Sequence, residues 1–296
     1  MKHTIVRCIL CAVVPLLLAG CAPAQVPQGA PTASPAPTPE LTATPEPTPP
    51  LPELPDAGAL EHLAPADFGC LAAEYPTARS TYTLTTADGQ PLEVTLLEGA
   101  AEGPTLYIVG GVHGDELAGW YAGSLLKQAD LKAGKVYLAA PANPWGAEQN
   151  RRDTADGRDL NRNFPGDAAG NPAQQRAATL WNDITEKAPA LVLDLHEARQ
   201  WNDGSDELGN SIICQDMQPI ADVVWGLLEA SAGGRLHCGA LDLFGSPPVG
   251  SLNRTLTLEA GISVITVETS RVEPLPQRVK NQLEIAEYVL TAQGLR

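Results

Sequence analysis

The chain has 296 residues and carries 35 Asp and Glu against 19 Lys and Arg, a formal net charge of −16. An acidic balance of that size argues against binding nucleic acid or anionic lipid by charge, since neutralising phosphates takes clustered cations. Length alone allows one large domain or two small ones.

Lys2, His3 and Arg7 give a positive start, Cys8 to Leu18 make a short apolar run, and Leu18-Ala19-Gly20-Cys21 close it with small residues. The run is too short for a comfortable transmembrane helix. It resembles a bacterial lipoprotein signal, with residues 1–20 as the cleaved peptide and Cys21 as the lipidated N-terminus. That resemblance implies an extracytoplasmic lipoprotein of the cell envelope, with the membrane as partner of the anchor on Cys21. The alternative is an ordinary cleaved signal with an incidental cysteine. Residues 21–57 are rich in Pro, Thr, Ala and Glu, a composition that buries too little apolar surface to fold. As extended polyproline II, at about 3.1 Å per residue, this tether spans up to roughly 100 Å. Residues 58–296 then read as a single domain, long enough for one core.

Ser80 to Thr86 and Leu92 to Leu97 alternate as strands do, and Asp88-Gly89 between them marks a turn, so the domain is expected to open on a hairpin. Thr105 to Val109 reads as a strand ending in Gly110-Gly111, and Glu116 to Gln128 as a helix. Lys135 to Ala139 is the next strand. A long polar segment from Asn143 to Asn171 follows, and a loop of that length inside a domain is usually functional. Further on, Ala173 to Lys187 reads as a helix, Ala190 to Leu195 as a buried strand and Ser211 to Cys214 as a short one. A helix from about Pro219 to Ala232 precedes a stretch of unassigned structure reaching Gly261. Ile262 to Thr269 is a strand and Gln277 to Gln293 a terminal helix. Strands alternating with helices predict an α/β fold: a mixed, largely parallel sheet between two helical layers, with the functional site at the carboxyl ends of strands. Cys70, Cys214 and Cys238 remain once the signal and Cys21 are set aside, so one disulfide is possible and one thiol is left over.

Several polar residues fall at those strand ends. Gly110-Gly111-Val112-His113-Gly114-Asp115-Glu116 is a glycine-rich turn that sets an imidazole and a carboxylate three residues apart, while Asp194-Leu195-His196 and Val267-Glu268 each close an apolar run. Two imidazoles and a carboxylate with an open position make a hydrolytic metal site, and a further carboxylate handles protons. Asp194 shares a strand face with His196 and is placed to orient its ring. Glu268 emerges from a buried run and needs a partner or a task; a salt bridge to Arg271 is the structural alternative. Arg151-Arg152 and Gly157-Arg158-Asp159-Leu160-Asn161-Arg162 cluster arginines in an acidic chain, which suggests an anionic substrate group.

Taken in order, His113-x-x-Glu116, Arg152, Asp159-Leu160-Asn161-Arg162, Asp194-Leu195-His196 and Val267-Glu268 resemble the zinc carboxypeptidase superfamily. Phe164-Pro165-Gly166-Asp167 is closer to its succinylglutamate desuccinylase and aspartoacylase branch, and Pro248-Val249-Gly250-Ser251-Leu252 is similar to murein peptide amidases. The resemblance implies a three-layer α/β/α fold and one zinc ion per chain held by His113, Glu116 and His196. It further implies Glu268 as acid/base, Arg152 on the scissile carbonyl, and Asn161 with Arg162 on a substrate carboxylate. The implied activity is cleavage of an amide bond in a small peptide or muropeptide that bears a carboxylate. Deacylation of an N-acyl amino acid is the alternative, and a peptide-binding lipoprotein without catalysis is a reading of another class. Carboxypeptidases carry a tyrosine before the catalytic glutamate, and none stands between His196 and Glu268, which disfavours an ordinary digestive type.

The anchor is separable from the rest. Replacing Cys21 by Ser is expected to release the protein from membranes while leaving activity unchanged, read by fractionation and assay; persistent membrane association would point to an uncleaved N-terminal helix.

Overall fold

A computed structural model describes residues 71, 75–86, 89–202, 204 and 207–296. The expected signal peptide, Cys21, the tether, Cys70 and the Asp88 half of the first turn lie outside the described residues. Among the described residues, no helix is long and apolar enough to cross a membrane.

Eight strands form one sheet: β1 (Ala78–Leu84), β2 (Leu92–Glu98), β3 (Ala101–Gly110), β4 (Ala133–Ala139), β5 (Leu191–Ala198), β6 (Ser211–Ile213), β7 (Asp242–Phe244) and β8 (Val264–Ser270). Their spatial order is β1-β2-β4-β3-β5-β8-β6-β7. The opening hairpin is present, with Leu84 opposite Leu92. The central strands β4, β3, β5 and β8 run parallel, whereas β2 joins β4 and β6 joins β8 antiparallel. The mixed, largely parallel sheet expected from the sequence is therefore the one observed.

Two helical layers cover it. Along β3, Leu106 and Ile108 face one side and Tyr107 and Val109 the other, the period-two alternation of a strand buried on both faces. The first face packs against α1 (Leu117–Leu126), α4 (Ala221–Ala232) and α6 (Leu275–Ala292). The second packs against α3 (Pro172–Lys187) and the short α5 (Leu252–Thr255). Helix α3 starts where its sequence says it should: Asn171 and Gln174 exchange side-chain-to-backbone hydrogen bonds as a capping box, with Pro172 in the first turn. On the face toward α3, the hydroxyls of Tyr82 and Tyr107 both donate to Asp183, at 2.8 Å for the shorter Tyr82 contact and 2.8 Å for Tyr107, which ties β1 and β3 to that helix.

Differences from expectation concentrate where apolar period is weak. The polar segment contains a short helix α2 (Pro144–Gln149), capped by Asn143 accepting from Gly146 N at 3.0 Å, and a 3₁₀ turn over Leu160–Arg162. Both are too short to show a helical repeat. The unassigned stretch before Gly261 resolves into β7, α5 and a π-helical turn over Leu256–Ala260, which ends at Gly261 with φ 66°. Cys214 and Cys238 are both free, so the disulfide that the sequence allowed between them does not form; burial pushes each thiol up to about 12.

Leu193 sits in β5 between β3 and β8 and is fully buried against the layer of α1 and α6. Leu193→Ala is expected to lower the unfolding free energy by about 2–5 kcal/mol, measured by denaturant titration. A cost below 1 kcal/mol, on the order of a surface change, would contradict this placement of the strand.

Candidate metal centre

Three parallel strands end side by side, and the polar residues of interest lie on or just beyond them. The β5–β8 register pairs His196 with Glu268 and Asp194 with Thr266, so these four share one face of the sheet. His113 and Glu116 come from the turn between β3 and α1, where the Glu116 N–H donates to the His113 carbonyl at 3.3 Å. That turn passes so close to α2 that a Cβ on Gly114 would stand 1.9 Å from the backbone of Gly146. Only glycine fits there.

His113, Glu116 and His196 converge. His113 Nδ1 is 2.8 Å from Glu116 Oε1, His196 Nδ1 is 2.7 Å from Glu116 Oε2, and the two Nδ1 atoms are 3.1 Å apart. All three residues are 2–3% exposed. The outer nitrogens face carboxylates: His113 Nε2 is 3.0 Å from Asp159 Oδ1, and His196 Nε2 is 3.1 Å from Asp194 Oδ1. The second contact is an ion-pair distance without the alignment of a hydrogen bond, since Asp194 Oδ1 has no hydrogen-bond partner. With protons on both Nε2 atoms, the Nδ1 lone pairs are turned toward each other and toward a carboxylate. Such an arrangement repels unless a cation sits among the lone pairs. A four-coordinate metal bound at about 2.0–2.1 Å holds its ligand atoms about 3.3 Å apart, close to the separations found. The residues present fit a metal ion, and among the described residues no other His, Cys, Asp and Glu cluster does.

Electrostatics agree with the geometry. Burial resists charge on every member, yet His113 and His196 hold the Glu116 carboxyl well below the usual range, and Glu116, with Asp159 or Asp194, raises both imidazoles. A bound cation would take over the role of those imidazole protons in balancing the Glu116 charge. Glu268 behaves in the opposite way: burial pushes its carboxyl up to about 8. Among the described residues it has no Arg partner: Arg271 pairs with Asp115 at 3.0 Å, so the salt bridge to Glu268 allowed by the sequence is not made.

The remaining residues line one cleft of about 380 Å³ that includes the three ligands, Glu268, Arg152, Asn161 and Arg162. Arg152 spans two of these groups, with Nη2 donating to Asp159 Oδ2 at 2.9 Å and Nη1 to Glu116 Oε1 at 3.3 Å. Asn161 Oδ1 accepts from the Leu252 N–H at 2.8 Å, and its amide nitrogen lies 3.5 Å from His196 Nε2. Arg162 is exposed at the rim, with Nη1 on the Asn161 carbonyl at 2.8 Å. Sequence reasoning assigned no role to Asp159, which backs His113 as Asp194 backs His196; its separation of 46 residues from His113 carries no signal. Arg199 and Glu207 also line the cleft.

Residues 102–204 match the family model of the succinylglutamate desuccinylase/aspartoacylase catalytic domain. That span holds His113, Glu116, Arg152, Asn161, Arg162, Asp194 and His196, but not Glu268. The chain is 36% identical over 100 residues to N-alpha-acetyl-L-2,4-diaminobutyric acid deacetylase of Halomonas elongata, a match covering 32% of this chain and 29% of that protein. Its fold is similar to that of a succinylglutamate desuccinylase/aspartoacylase from Rhodobacter sphaeroides, with TM-score 0.57 and 22% identity over 73% of this chain and 66% of the other. It is also similar to the D,L-carboxypeptidase Csd4 of Helicobacter pylori, with TM-score 0.58 and 21% identity over 66% of this chain and 52% of the other. The chain thus spans under a third of the curated relative and about two thirds or less of these structures. The resemblance to the succinylglutamate desuccinylase and aspartoacylase branch holds over residues 102–204, and the expected α/β fold is shared with the solved structures.

His113→Ala and His196→Ala are each expected to remove most of a stoichiometric metal, measured by elemental analysis of the purified protein. Full occupancy in the double variant would place the metal elsewhere.

Proposed function

We propose that the protein is a zinc-dependent hydrolase of amide bonds in small substrates that bear a carboxylate. One observation carries this reading above the others: a buried carboxyl, Glu268, stands beside His196 on the neighbouring strand and faces the cleft, and among the described residues no Arg or Lys forms an ion pair with it. A protein that merely captured a ligand would have no use for such a group.

His113, Glu116 and His196 would hold the zinc, which when bound supplies a Lewis acid for the carbonyl and a water of lowered pKa. The chain's own residues do the rest. Glu268 takes the proton of the attacking water and returns it to the departing nitrogen. Arg152 Nη1, 3.2 Å from His113 Nδ1, faces the same space and shares charge developing on the carbonyl oxygen. Asp159 keeps that guanidinium in place through Nη2. The Asn161 amide and the Arg162 guanidinium, on the cleft wall, bind the substrate carboxylate in two-point fashion.

For the substrate we favour a short peptide or a peptidoglycan stem peptide, supported by the N-terminal pattern that would tether the enzyme outside the cytoplasm through Cys21. A second reading, deacylation of an N-acyl amino acid, is favoured by the family match over residues 102–204 and by the deacetylase relative. Incubating the zinc-loaded protein with muropeptides, short peptides and N-acyl amino acids, and reading products by mass, separates the two. No product from any of these would leave a binding protein.

Glu268→Gln is expected to lower kcat by about 10² to 10⁴ while leaving zinc content intact, because acid/base work is lost but no ligand is. The carboxylate is the active form, so kcat/KM of the parent should rise with pH through the Glu268 pKa, which burial sets near 8 and a nearby cation lowers. That acidic limb should vanish in the Gln variant. Arg162→Ala should act mainly on KM, and a substrate with its carboxylate amidated should erase the difference between the two enzymes. Near-normal turnover in Glu268→Gln would remove that residue from the mechanism, and equal penalties on both substrates would remove Arg162 from carboxylate recognition.

A further inference from the structure

Arg271 follows Glu268 by three residues and turns away from it. Its backbone N–H donates to the Ala198 carbonyl at 2.9 Å, which extends the β5–β8 ladder just beyond the strands and sets where the side chain begins. From there Nη1 donates to Asp115 Oδ2 at 3.0 Å, and Nη2 lies 3.6 Å from Glu116 Oε1. Asp115 is the one residue of the His113–Glu116 turn that has a side chain to offer yet contributes nothing to the metal-binding set.

Two features set this pair apart from an ordinary surface ion pair. Asp115 Oδ1 and Arg271 Nε are both buried without a hydrogen-bond partner, an uncompensated desolvation that a simple tie between a turn and a strand would not need. In addition, Glu116 Oε1 receives two guanidiniums: Arg152, which lines the cleft, and Arg271, which does not. Arg152 is therefore available to a substrate. Arg271 is behind the carboxylate.

We infer that Asp115 and Arg271 form a clamp behind the metal site, in which Arg271 fixes the Glu116 carboxylate through Oε1 and Asp115 fixes Arg271. On the other oxygen, Oε2 accepts from the Glu197 N–H at 3.1 Å, so the carboxylate is held at both ends. Arg271 is a positioning residue that reaches the metal only through Glu116. The inference rests on the reading that His113, Glu116 and His196 hold a metal.

The test uses the full chain and Arg271→Gln, with three readouts: zinc affinity by competition with a chromophoric chelator, the visible spectrum of the cobalt-loaded protein, and the Tm of the metal-free protein. The clamp predicts zinc binding weaker by about 10- to 100-fold and a changed cobalt spectrum, as expected when a ligand loses its outer partner. It predicts little change in the metal-free Tm. Arg271→Lys, which restores the cation with a single contact point, should recover part of the affinity, and Asp115→Asn should weaken zinc in the same direction. Zinc affinity within twofold of the parent and an unchanged cobalt spectrum would overturn the clamp, as would a lower metal-free Tm with neither of those effects. If Arg271→Gln does not fold, Asp115→Asn is read in the same way; if neither folds, the pair is a structural tie and the clamp is overturned. Failure of the parent protein to bind zinc or cobalt would instead overturn the metal site itself.

Discussion

Two imidazole nitrogens and a carboxylate are forced together at 2.7 to 3.1 Å in a place that water hardly reaches, and the rest of the structure answers that constraint. Without a cation between them these groups repel or compete for a proton, and burial sharpens the conflict because charge is costly in a low dielectric. Each ligand is accordingly backed. Asp159 stands behind His113 and Asp194 behind His196, while Glu116 is held by guanidiniums and by the Glu197 amide. The backing residues are buried or half-buried themselves, so the network runs inward until it meets the sheet.

Rigidity is distributed unevenly across the site. His196 and Glu268 are cross-strand neighbours in the parallel core, where hydrogen bonding on both sides of β5 and packing on both faces leave little freedom. The residues assigned to the substrate, Arg152, Asn161 and Arg162, come instead from the polar segment after β4, whose backbone is irregular. That segment is not loose. Gly146 packs on Gly114 of the His113–Glu116 turn, and Gly250 packs on the backbone of Arg162. Tight glycine contacts thus hold the polar segment, through α2 and through Arg162, against its neighbours.

Much of this was legible beforehand, and for identifiable reasons. The central strands announce themselves as β-branched and apolar runs, and α3 by Asn171, Pro172 and Gln174 at its start, because these are local effects that need no knowledge of the fold. The same holds for the site's principal residues: His113 with Glu116, His196 and Glu268 each terminate a buried run, and a polar residue at such a point has few reasons to be there. What was not legible lies in short or irregular pieces. Helix α2, strand β7 and the π-helical turn are at most six residues each, too short for a periodic pattern to repeat.

Sequence by itself determined the class of fold, the strand ends from which chemistry would come, and the residue types gathered there, since each of these depends on local periodicity and on the cost of burying a polar group. Only the tertiary structure decided who pairs with whom. Arg271 was equally able, on sequence, to neutralise Glu268; the β5–β8 register and the course of the turn after β3 give it to Asp115 and Glu116 instead. Asp159 could not be matched to His113, nor Cys214 kept apart from Cys238, by any spacing rule. Pairings of this kind are set by how strands are ordered in the sheet and how far loops reach across its edge, and those are properties of the packed chain as a whole.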